Sequence, residues 1–347
     1  MSQLQFVIGV KEEIPAKYLK ELMELFQKNQ EEIYNEKPPT IEYFRRFWCV
    51  PLSSGQKRLW VIATTKEEKI VGYGYLSWNV KYDNLDQGHI WVYIKKSERR
   101  KGYGKRVLKE LVGYIPPQVK IILLEAFGET DGSYFLNSLG KEKSYIEVLS
   151  VSDLTTFNRE KVKQEAENQR KKALEKGYEL IYVENLEHVF HLDFPAFVKM
   201  VEKIWNDMPR EELSFEDEVV TIKRYQEFIQ RQMVLGDCSM FFVAIHKKTS
   251  KPVGLTNTSV NKFQPELAKQ GDTGVLRPHR GNGLGLALKY QMLEKLLMDT
   301  KVERWLTGNA GSNEHMLRIN RILKHEPSRK TFLYEFSREE LLAKFND

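Results

Sequence analysis

Apolar residues recur along the chain with two periods, which predict where helices and strands lie. In residues 16–36 they return every three or four positions, as at Leu19, Leu22 and Phe26, and this spacing predicts an amphipathic helix. In "RLWVIATT" and "IVGYGYLSWNV" they form short runs joined by the charged turn "KEEK", which predict a β-hairpin. The strand "GHIWVYIK" follows and runs directly into a segment that contains two glycines.

The second half of the chain predicts the same series of elements as the first. The series is a strand, two helices, a hairpin, a strand with a glycine segment, a helix, a strand and a short helix, and the second half closes with the extra strand "TFLYEFS". Gly102 and Gly104 return 181 residues later as Gly283 and Gly285. Three further small residues return at this offset within one position: Gly55 as Gly236, Ala63 as Ala244 and Gly72 as Gly254. A duplication explains these matches.

The duplication divides the chain into two domains of similar length. We expect an N-terminal domain at residues 1–158 and a C-terminal domain at residues 178–347. Residues 159–177 between them are rich in charge and helical in pattern. Because such helices usually face water, we expect this segment to be a solvated linker.

Composition narrows the class of protein. The 347 residues carry a net charge of +6, and 41% of them are hydrophobic and 29% charged. These fractions are typical of a soluble protein, and the small net charge favours at most a small anionic ligand. We expect no nucleic-acid partner. Cys49 and Cys238 are expected to be free thiols in a reducing compartment. Without a signal-peptide pattern or a long apolar run, we expect a cytoplasmic protein with no membrane partner.

The two glycine segments have the form expected of a phosphate-binding loop. Each follows an apolar strand, reads Arg-x-x-Gly-x-Gly and precedes a helix. Glycine lets the backbone approach a ligand closely, and the N–H groups at a helix N-terminus attract anions. The candidate binding residues are Arg99, Arg100, Lys101, Gly102, Tyr103, Gly104 and Lys105 in the first half, and Arg280, Gly281, Asn282, Gly283, Leu284 and Gly285 in the second.

Two better-known phosphate motifs do not fit these segments. A dinucleotide-binding Rossmann loop has a third glycine three positions after the second, where this chain has Val107 and Leu288. In each half the glycine strand also follows a hairpin instead of opening the fold. A Walker A loop ends in Gly-Lys-Ser/Thr, which neither segment contains.

Arg-x-x-Gly-x-Gly between a strand and a helix, with this order of elements, resembles the acetyl-CoA signature of the GNAT acetyltransferases. The resemblance extends to both halves, and in the second it includes "TGNAGSNEHMLRINRIL" with Asn309, Ser312, Asn313 and Asn320 at its polar positions. It implies an α+β fold with α/β-type layers: two tandem GNAT domains, each a mixed, mostly antiparallel sheet flanked by helices. It also implies acetyl-CoA as the cofactor.

The resemblance further implies where the cofactor and the reacting groups lie. In this family the central strand separates from its neighbour at a bulge, and the pantetheine arm lies in that gap. The arm would run along residues 272–276 in the second half and 91–95, including Ile94, in the first. The backbone N–H of Val275 or Leu276 would hold the acetyl oxygen. Asn313 would contact the pantetheine arm, and Glu129 stands in its place in the first half.

The resemblance leaves the acid and the base open. The tyrosine that usually acts as the general acid in this family is replaced by Leu136 in the first half and by Asn320 in the second. Asn320 is therefore a candidate catalytic residue. The candidate bases are Asp272 and Glu266 in the second half, and His89 and Glu125 in the first. The early helices would border the acceptor pocket, through Tyr43 and Phe47 in the first half and Trp205, Met208 and Tyr225 in the second.

These features predict an acetyl-CoA-dependent N-acetyltransferase that acts on the primary amine of a small molecule. The C-terminal domain is expected to be the catalytic half, in a monomer or homodimer. The alternatives are a non-catalytic acyl-CoA-binding or regulatory protein and a protein or peptide N-acetyltransferase. The spacing of His188, His191 and Asp193 could seed a metal site, but no further Cys or His cluster supports one, and we expect none.

Overall fold

The computed structural model describes residues 4–10, 15–34, 40–49, 55–184 and 193–345. The chain forms two compact units with an α+β fold. The first unit contains the described residues of Met1–Ile146, Glu212–Glu216 and Thr331–Asp347, and the second those of Glu147–Glu211 and Asp217–Lys330. No helix in the described ranges has both the length and the apolar run needed to cross a membrane.

The first unit is built on a mixed sheet with the strand order β1-β2-β3-β4-β5-β12. Its strands are β1 Gln5–Val10, β2 Gln56–Thr64, β3 Ile70–Asn79, β4 Gln87–Ile94, β5 Ile121–Phe127 and β12 Glu326–Ser337. Only β4 and β5 pair in parallel, and the other neighbours are antiparallel. The predicted mixed, mostly antiparallel sheet is therefore confirmed for this unit.

Helices cover both faces of this sheet. They are α1 Ala16–Tyr34, α2 Ile41–Cys49, α3 Tyr103–Gly113, α4 Asp131–Ser138 and α10 Arg338–Phe345. Helices α1 and α2 bury Leu22 and Phe44 in one apolar cluster with Tyr73 of the sheet. Helix α3 buries Val107 and Leu111 in a second cluster. The helical spacing of apolar residues decides these contacts, because it gives each helix one apolar face.

The second unit repeats this plan with the strand order β6-β11-β10-β9-β8-β7. Its strands are β6 Tyr145–Asp153, β7 Tyr178–Glu184, β8 Asp237–His246, β9 Lys251–Asn261, β10 Gln264–Val275 and β11 Arg304–Ala310. Its helices are α5 Arg159–Glu175, α6 Phe194–Asn206, α7 Ile222–Leu235, α8 Leu284–Asp299 and α9 Glu314–Ile322. Again the single parallel contact is between the two central strands, β10 and β11.

The strand that ends each sheet order given above comes from the other half of the duplicated sequence. Strand β12 extends the first sheet beside β5, although the sequence repeat places it at the end of the second domain. Strand β6 extends the second sheet beside β11. The predicted boundaries at residues 158 and 178 did not include this exchange, because an apolar strand pattern does not specify which edge it pairs with.

Helix α5 occupies the charged segment that was expected to be a solvated linker. The segment is helical as predicted, but it packs onto the second unit by a narrow stripe of Val162, Ala166 and Ala173, all buried. Gln291 Nε2 of α8 donates a hydrogen bond to the Ala166 carbonyl oxygen at 2.7 Å. The small residues in this stripe let α5 approach α8 closely. By its contacts, α5 belongs to the second unit.

Candidate functional site

The two central strands of each unit separate at the same point of the fold. In the second unit β10 and β11 pair only where Leu267–Lys269 meet Arg304–Leu306, although both strands continue. The β9–β10 ladder has a register shift between Gln270 and Thr273 at this position. In the first unit the β4–β5 ladder ends at Ile90 and Leu124. This leaves an unpaired strand edge in each unit, as the resemblance implied.

One backbone N–H on each open edge is directed away from the neighbouring ladder. Leu276 N donates to the Val253 carbonyl at 2.8 Å, and Lys95 N donates to the Val71 carbonyl at 2.9 Å. Because hydrogen bonding alternates along an antiparallel edge, the N–H groups of Val275 and Ile94 point to the opposite, unpaired side. The structure thus gives the Leu276 N–H a partner within the sheet, and Val275 alone remains available to hold an acetyl oxygen.

The glycine loops adopt left-handed backbone conformations that the sequence pattern anticipated. Gly283 has φ 80° and forms the N-cap of α8, and Gly281 has φ 78°. Gly102 has φ 78° at the N-cap of α3. Arg100 has φ 62° where the second unit has Gly281, a conformation that is strained for a residue with a side chain. A glycine cap has no side chain, so it leaves the first N–H groups of each helix to a ligand or solvent.

The first arginine of each glycine loop makes equivalent contacts in the two units. Arg280 Nε donates to the Val275 carbonyl at 2.9 Å, and its guanidinium binds Asp207 at 2.7 Å. Arg99 Nε donates to the Ile94 carbonyl at 3.0 Å, and its guanidinium binds Glu32 at 2.7 Å. Both arginines therefore fix the loop to the end of the central strand and to the protein's own carboxylate.

A cavity of about 860 Å³ in the second unit adjoins both its open strand edge and its glycine loop. The predicted residues Val275, Arg280, Leu284 and Asn313 line it together with the three loop glycines. Asn282 instead stabilises the loop, since its Nδ2 donates to the His279 carbonyl at 3.1 Å. The volume lies within the range of about 300–1,000 Å³ that small-molecule sites occupy.

Asn313 and its counterpart occupy helix N-caps. Asn313 accepts a hydrogen bond from Met316 N at 3.2 Å at the start of α9 and lines the cavity. In the first unit the N-cap of α4 is Thr130. The structural counterpart of Asn313 is therefore Thr130 and not Glu129, because each of the two caps stands three residues after the end of the preceding strand, at Phe127 and at Ala310.

Asp272 lies at the register shift of β10. Trp205 Nε1 of α6 donates to its Oδ2 at 2.8 Å, and its own N–H donates to Asn257 Oδ1 at 2.6 Å. Burial raises the pKa of the Asp272 carboxyl, and the hydrogen bond from Trp205 offsets part of this effect. Glu266, the other candidate base, lies near the start of β10, where its carbonyl accepts from Glu303 N.

Asn320 is turned into the core and does not line the cavity. It is 2% exposed, its Oδ1 accepts from Lys289 Nζ at 2.7 Å, and its Nδ2 donates to Asn309 Oδ1 at 2.6 Å. Lys289 is fully buried, and burial lowers its pKa to about 7. His325 is also buried in this group, and burial, together with the charge of Lys289, lowers its pKa to about 3. Sequence reasoning missed Lys289, although a lysine inside the apolar run "LGLALKYQML" was a visible signal.

The first unit brings its two candidate bases together. His89 Nε2 lies 3.5 Å from Glu125 Oε2. Leu136, at the tyrosine position, is buried. In the glycine loop of this unit, Tyr103 is buried and Lys105 is exposed. Lys101 pairs with Glu98 at 2.8 Å. The basic side chains of this loop therefore face solvent more than they face one shared binding point.

The metal-site pattern of His188, His191 and Asp193 lies only partly within the described residues, because both histidines fall outside them. Asp193 caps α6 through Ala196 N at 3.1 Å and pairs with Lys251. Among the described residues, no group of three or more His, Cys, Asp and Glu side chains is placed to hold a metal ion.

The chain is similar to known proteins in part of its sequence and in its whole fold. Residues 19–130 match the family model of the acetyltransferase (GNAT) family. No curated protein matches the chain significantly. A tandem GNAT protein from the clavulanic acid biosynthesis pathway superposes with a TM-score of 0.75 at 17% identity, covering 97% of this chain and 99% of that one.

Two further solved structures share the fold. A GCN5-related N-acetyltransferase from Sphaerobacter thermophilus has a TM-score of 0.61 at 15% identity, with 96% of each chain covered. The GCN5-related glucosamine N-acetyltransferase region of a fungal multidomain β-N-acetylglucosaminidase has a TM-score of 0.66 at 12% identity, covering 97% of this chain and 38% of that one. Residues 19–130 thus match the GNAT family model, and 97% of the chain shares the fold of a tandem GNAT protein.

Proposed function

We propose that the protein is an acetyl-CoA-dependent N-acetyltransferase that acts on the primary amine of a small molecule, with its reaction centre in the second unit. The observation that carries this proposal is the cavity of about 860 Å³, whose lining joins the glycine loop, the Val275 edge and the Asn313 cap. Asp272 immediately precedes the lining residues Thr273 and Gly274. Binding and proton-accepting groups are thereby gathered in one unit.

The residues of this cavity suit coenzyme A. Left-handed Gly281 and Gly283 expose the N–H groups of the loop and of the α8 N-terminus, which suits a pyrophosphate. The unpaired edge at Val275 and the Asn313 cap would hold the pantetheine arm. When bound, acetyl-CoA supplies an acetyl group activated as a thioester.

The chain's own groups support transfer in two ways. Asp272 accepts a proton from the substrate ammonium, and its raised pKa makes it a stronger base than an exposed carboxylate. The Val275 N–H donates a hydrogen bond to the acetyl oxygen, which stabilises negative charge as it develops there. Trp205 holds the Asp272 carboxylate in place through its indole N–H.

Replacing Asp272 with Asn is expected to lower kcat about 100-fold, the usual contribution of a positioned base. The measurement is thiol release from acetyl-CoA, first with a panel of amines, amino acids and peptides and then with the best acceptor. Wild-type activity should rise with pH as the Asp272 carboxyl loses its proton. The activity of the Asp272→Asn variant should not show this rise. Glu266→Gln, on the same strand, is the matched control; equal activity of wild type and Asp272→Asn would exclude Asp272 as the base.

A second candidate function follows from the two tyrosine positions. Leu136 and Asn320 are both buried, and neither can serve as the family's acid. This favours an acyl-CoA-binding protein without turnover as the alternative. Tight binding of coenzyme A, measured by calorimetry, with no thiol release for any acceptor would establish the alternative and reject the transferase.

A further inference from the structure

Strand β10 contains a two-residue bulge at the candidate base. Its pairing with β9 is interrupted between Gln270 and Thr273, so Gly271 and Asp272 together oppose the single residue Asn257. The residues of a bulge lie outside the regular ladder, so their backbone N–H and C=O groups need other hydrogen-bond partners. In this strand the partners are side chains.

Two side-chain amides close the bulge. Asn257 Oδ1 accepts a hydrogen bond from the Asp272 N–H at 2.6 Å. Gln270 Nε2 donates to the Asp272 carbonyl at 3.2 Å and to the Asn257 carbonyl at 2.6 Å. The backbone of Asp272 is therefore held on both sides. Gly271 leaves room for this contact, because a Cβ at that position would lie 2.5 Å from Asn257 Nδ2.

The threonines of β9 fix the orientation of the Gln270 amide. Thr258 Oγ1 donates to Gln270 Oε1 at 3.3 Å, and Gln270 Nε2 also donates to Thr256 Oγ1 at 3.1 Å. Both threonines are fully buried. Because Oε1 can only accept and Nε2 can only donate, these contacts direct the donor end of the amide into the bulge.

The first unit has neither the bulge nor the glutamine. Its β3–β4 ladder, which the structure describes over its whole length, has no register shift. At the 181-residue offset of the repeat, His89 and Trp91 stand in the places of Gln270 and Asp272. The bulge and its glutamine therefore occur together with a carboxylate, in the unit for which the reaction is proposed.

We propose that Gln270 is a positioning residue for acetyl transfer: its amide holds the bulge in the form that keeps the Asp272 carboxylate against Trp205. This inference rests on the proposed function, in which Asp272 is the base. Without the amide, the bulge is free to relax, and the carboxylate spends part of its time away from Trp205 and in contact with water. It then accepts the substrate proton less often.

The test compares two variants in the thiol-release assay. Gln270→Met keeps the length of the side chain and removes both donors, whereas Thr258→Val removes a buried hydroxyl of the same network and leaves the contacts to the bulge. Gln270→Met is expected to lower kcat at least about tenfold and to leave KM for acetyl-CoA within about twofold, because the glycine loop is intact. Thr258→Val should retain kcat. An equal loss in the two variants would overturn the proposal.

The pH profile separates positioning from a general loss of stability. In Gln270→Met the rise of activity with pH should begin at lower pH, because a carboxyl that reaches water regains a more ordinary pKa. Tyr225 of α7 does not contribute to this rise, since burial, and after it the charge of Asp272, raise the pKa of its hydroxyl. A lower kcat with an unchanged pH profile would contradict the positioning role.

A second measurement does not depend on turnover. The ¹³C carboxyl signal of Asp272 in the full-length protein, identified by its absence from Asp272→Asn, is titrated in the wild type and in Gln270→Met. The midpoint should be lower in the variant. Gln270→Asn keeps the amide but shortens it by one methylene, and it should shift the midpoint in the same direction if Gln270→Met does not fold, which thermal unfolding verifies.

The two measurements distinguish the failure of this inference from the failure of the proposed function. Equal midpoints in the wild type and the folded Gln270 variant would refute the role of Gln270, even where Asp272→Asn abolishes activity. A lowered midpoint without thiol release from the wild type for any acceptor would reject the transferase and retain the contact through which Gln270 holds Asp272.

Discussion

Gly285→Glu is expected to reduce acetyl transfer by roughly a thousandfold, because it places a carboxylate where the proposed pyrophosphate binds. Two like charges about 4 Å apart repel by about 4 kcal/mol at the effective dielectric of a protein surface, which corresponds to that factor. Gly285 is the second residue of α8 and lines the cavity. Its backbone is already helical, a conformation that glutamate also adopts. The measurement is kcat/KM for thiol release with the best acceptor.

The two halves provide the matched control for this experiment. Gly104→Glu makes the same change in the first unit, where activity should be largely retained if the second unit catalyses. Gly285→Ala tests the effect of size alone, since a Cβ there meets Ile319 only at 3.4 Å. Full activity of Gly285→Glu would reject the second unit as the reaction centre, and loss of activity only in Gly104→Glu would assign the reaction to the first.

The glycine loops were predictable because their structure depends on local chemistry. Gly102, Gly281 and Gly283 adopt positive φ at the start of a helix, which their residue type and position already indicated. The open strand edges were also expected, but only through the family resemblance. Periodicity alone does not reveal where two parallel strands cease to pair.

Other parts of the fold could not be predicted from apolar patterning. Strand β6 was missed because its buried positions include Ser150 and Ser152, which invert the usual pattern. Ser152 compensates for its burial by donating to the Leu323 carbonyl at 2.9 Å. The first eight residues of β10 were likewise missed, because "QPELAKQG" reads as a polar loop. In both strands, tertiary partners supply what the local sequence lacks.

The tyrosine position of the second half shows that a residue's place in the sequence does not determine where its side chain lies. Asn320 was the natural candidate for a catalytic group, since it replaces the acidic tyrosine in sequence. Its amide is instead held between Lys289 and Asn309, away from the cavity lining. That bond joins Lys289 of α8 to Asn320 of α9, so residue spacing along either helix does not predict it.

Lys289→Met is expected to change how stability depends on pH. Burial lowers the Lys289 pKa from 10.5 to about 7, so between these values the unfolded state binds one proton more than the folded state. The free energy of unfolding of the wild type therefore gains about 1.4 kcal/mol per pH unit from this group as pH rises, or about 4 kcal/mol between roughly pH 7 and pH 10. Methionine fills similar space and does not titrate, so the variant loses this gain.

The measurement is urea denaturation of the wild type and the variant across this pH window. The difference in free energy of unfolding between them should move in favour of the wild type as pH increases, whatever its value at neutral pH. His325 does not contribute, because its lowered pKa affects stability only at acid pH, where the unfolded histidine gains a proton. Lys301→Met, at an exposed position, is the control and should give a constant difference. A constant difference for Lys289→Met as well would mean that the amine carries the same charge in the folded and unfolded states at each pH, so that burial does not lower its pKa.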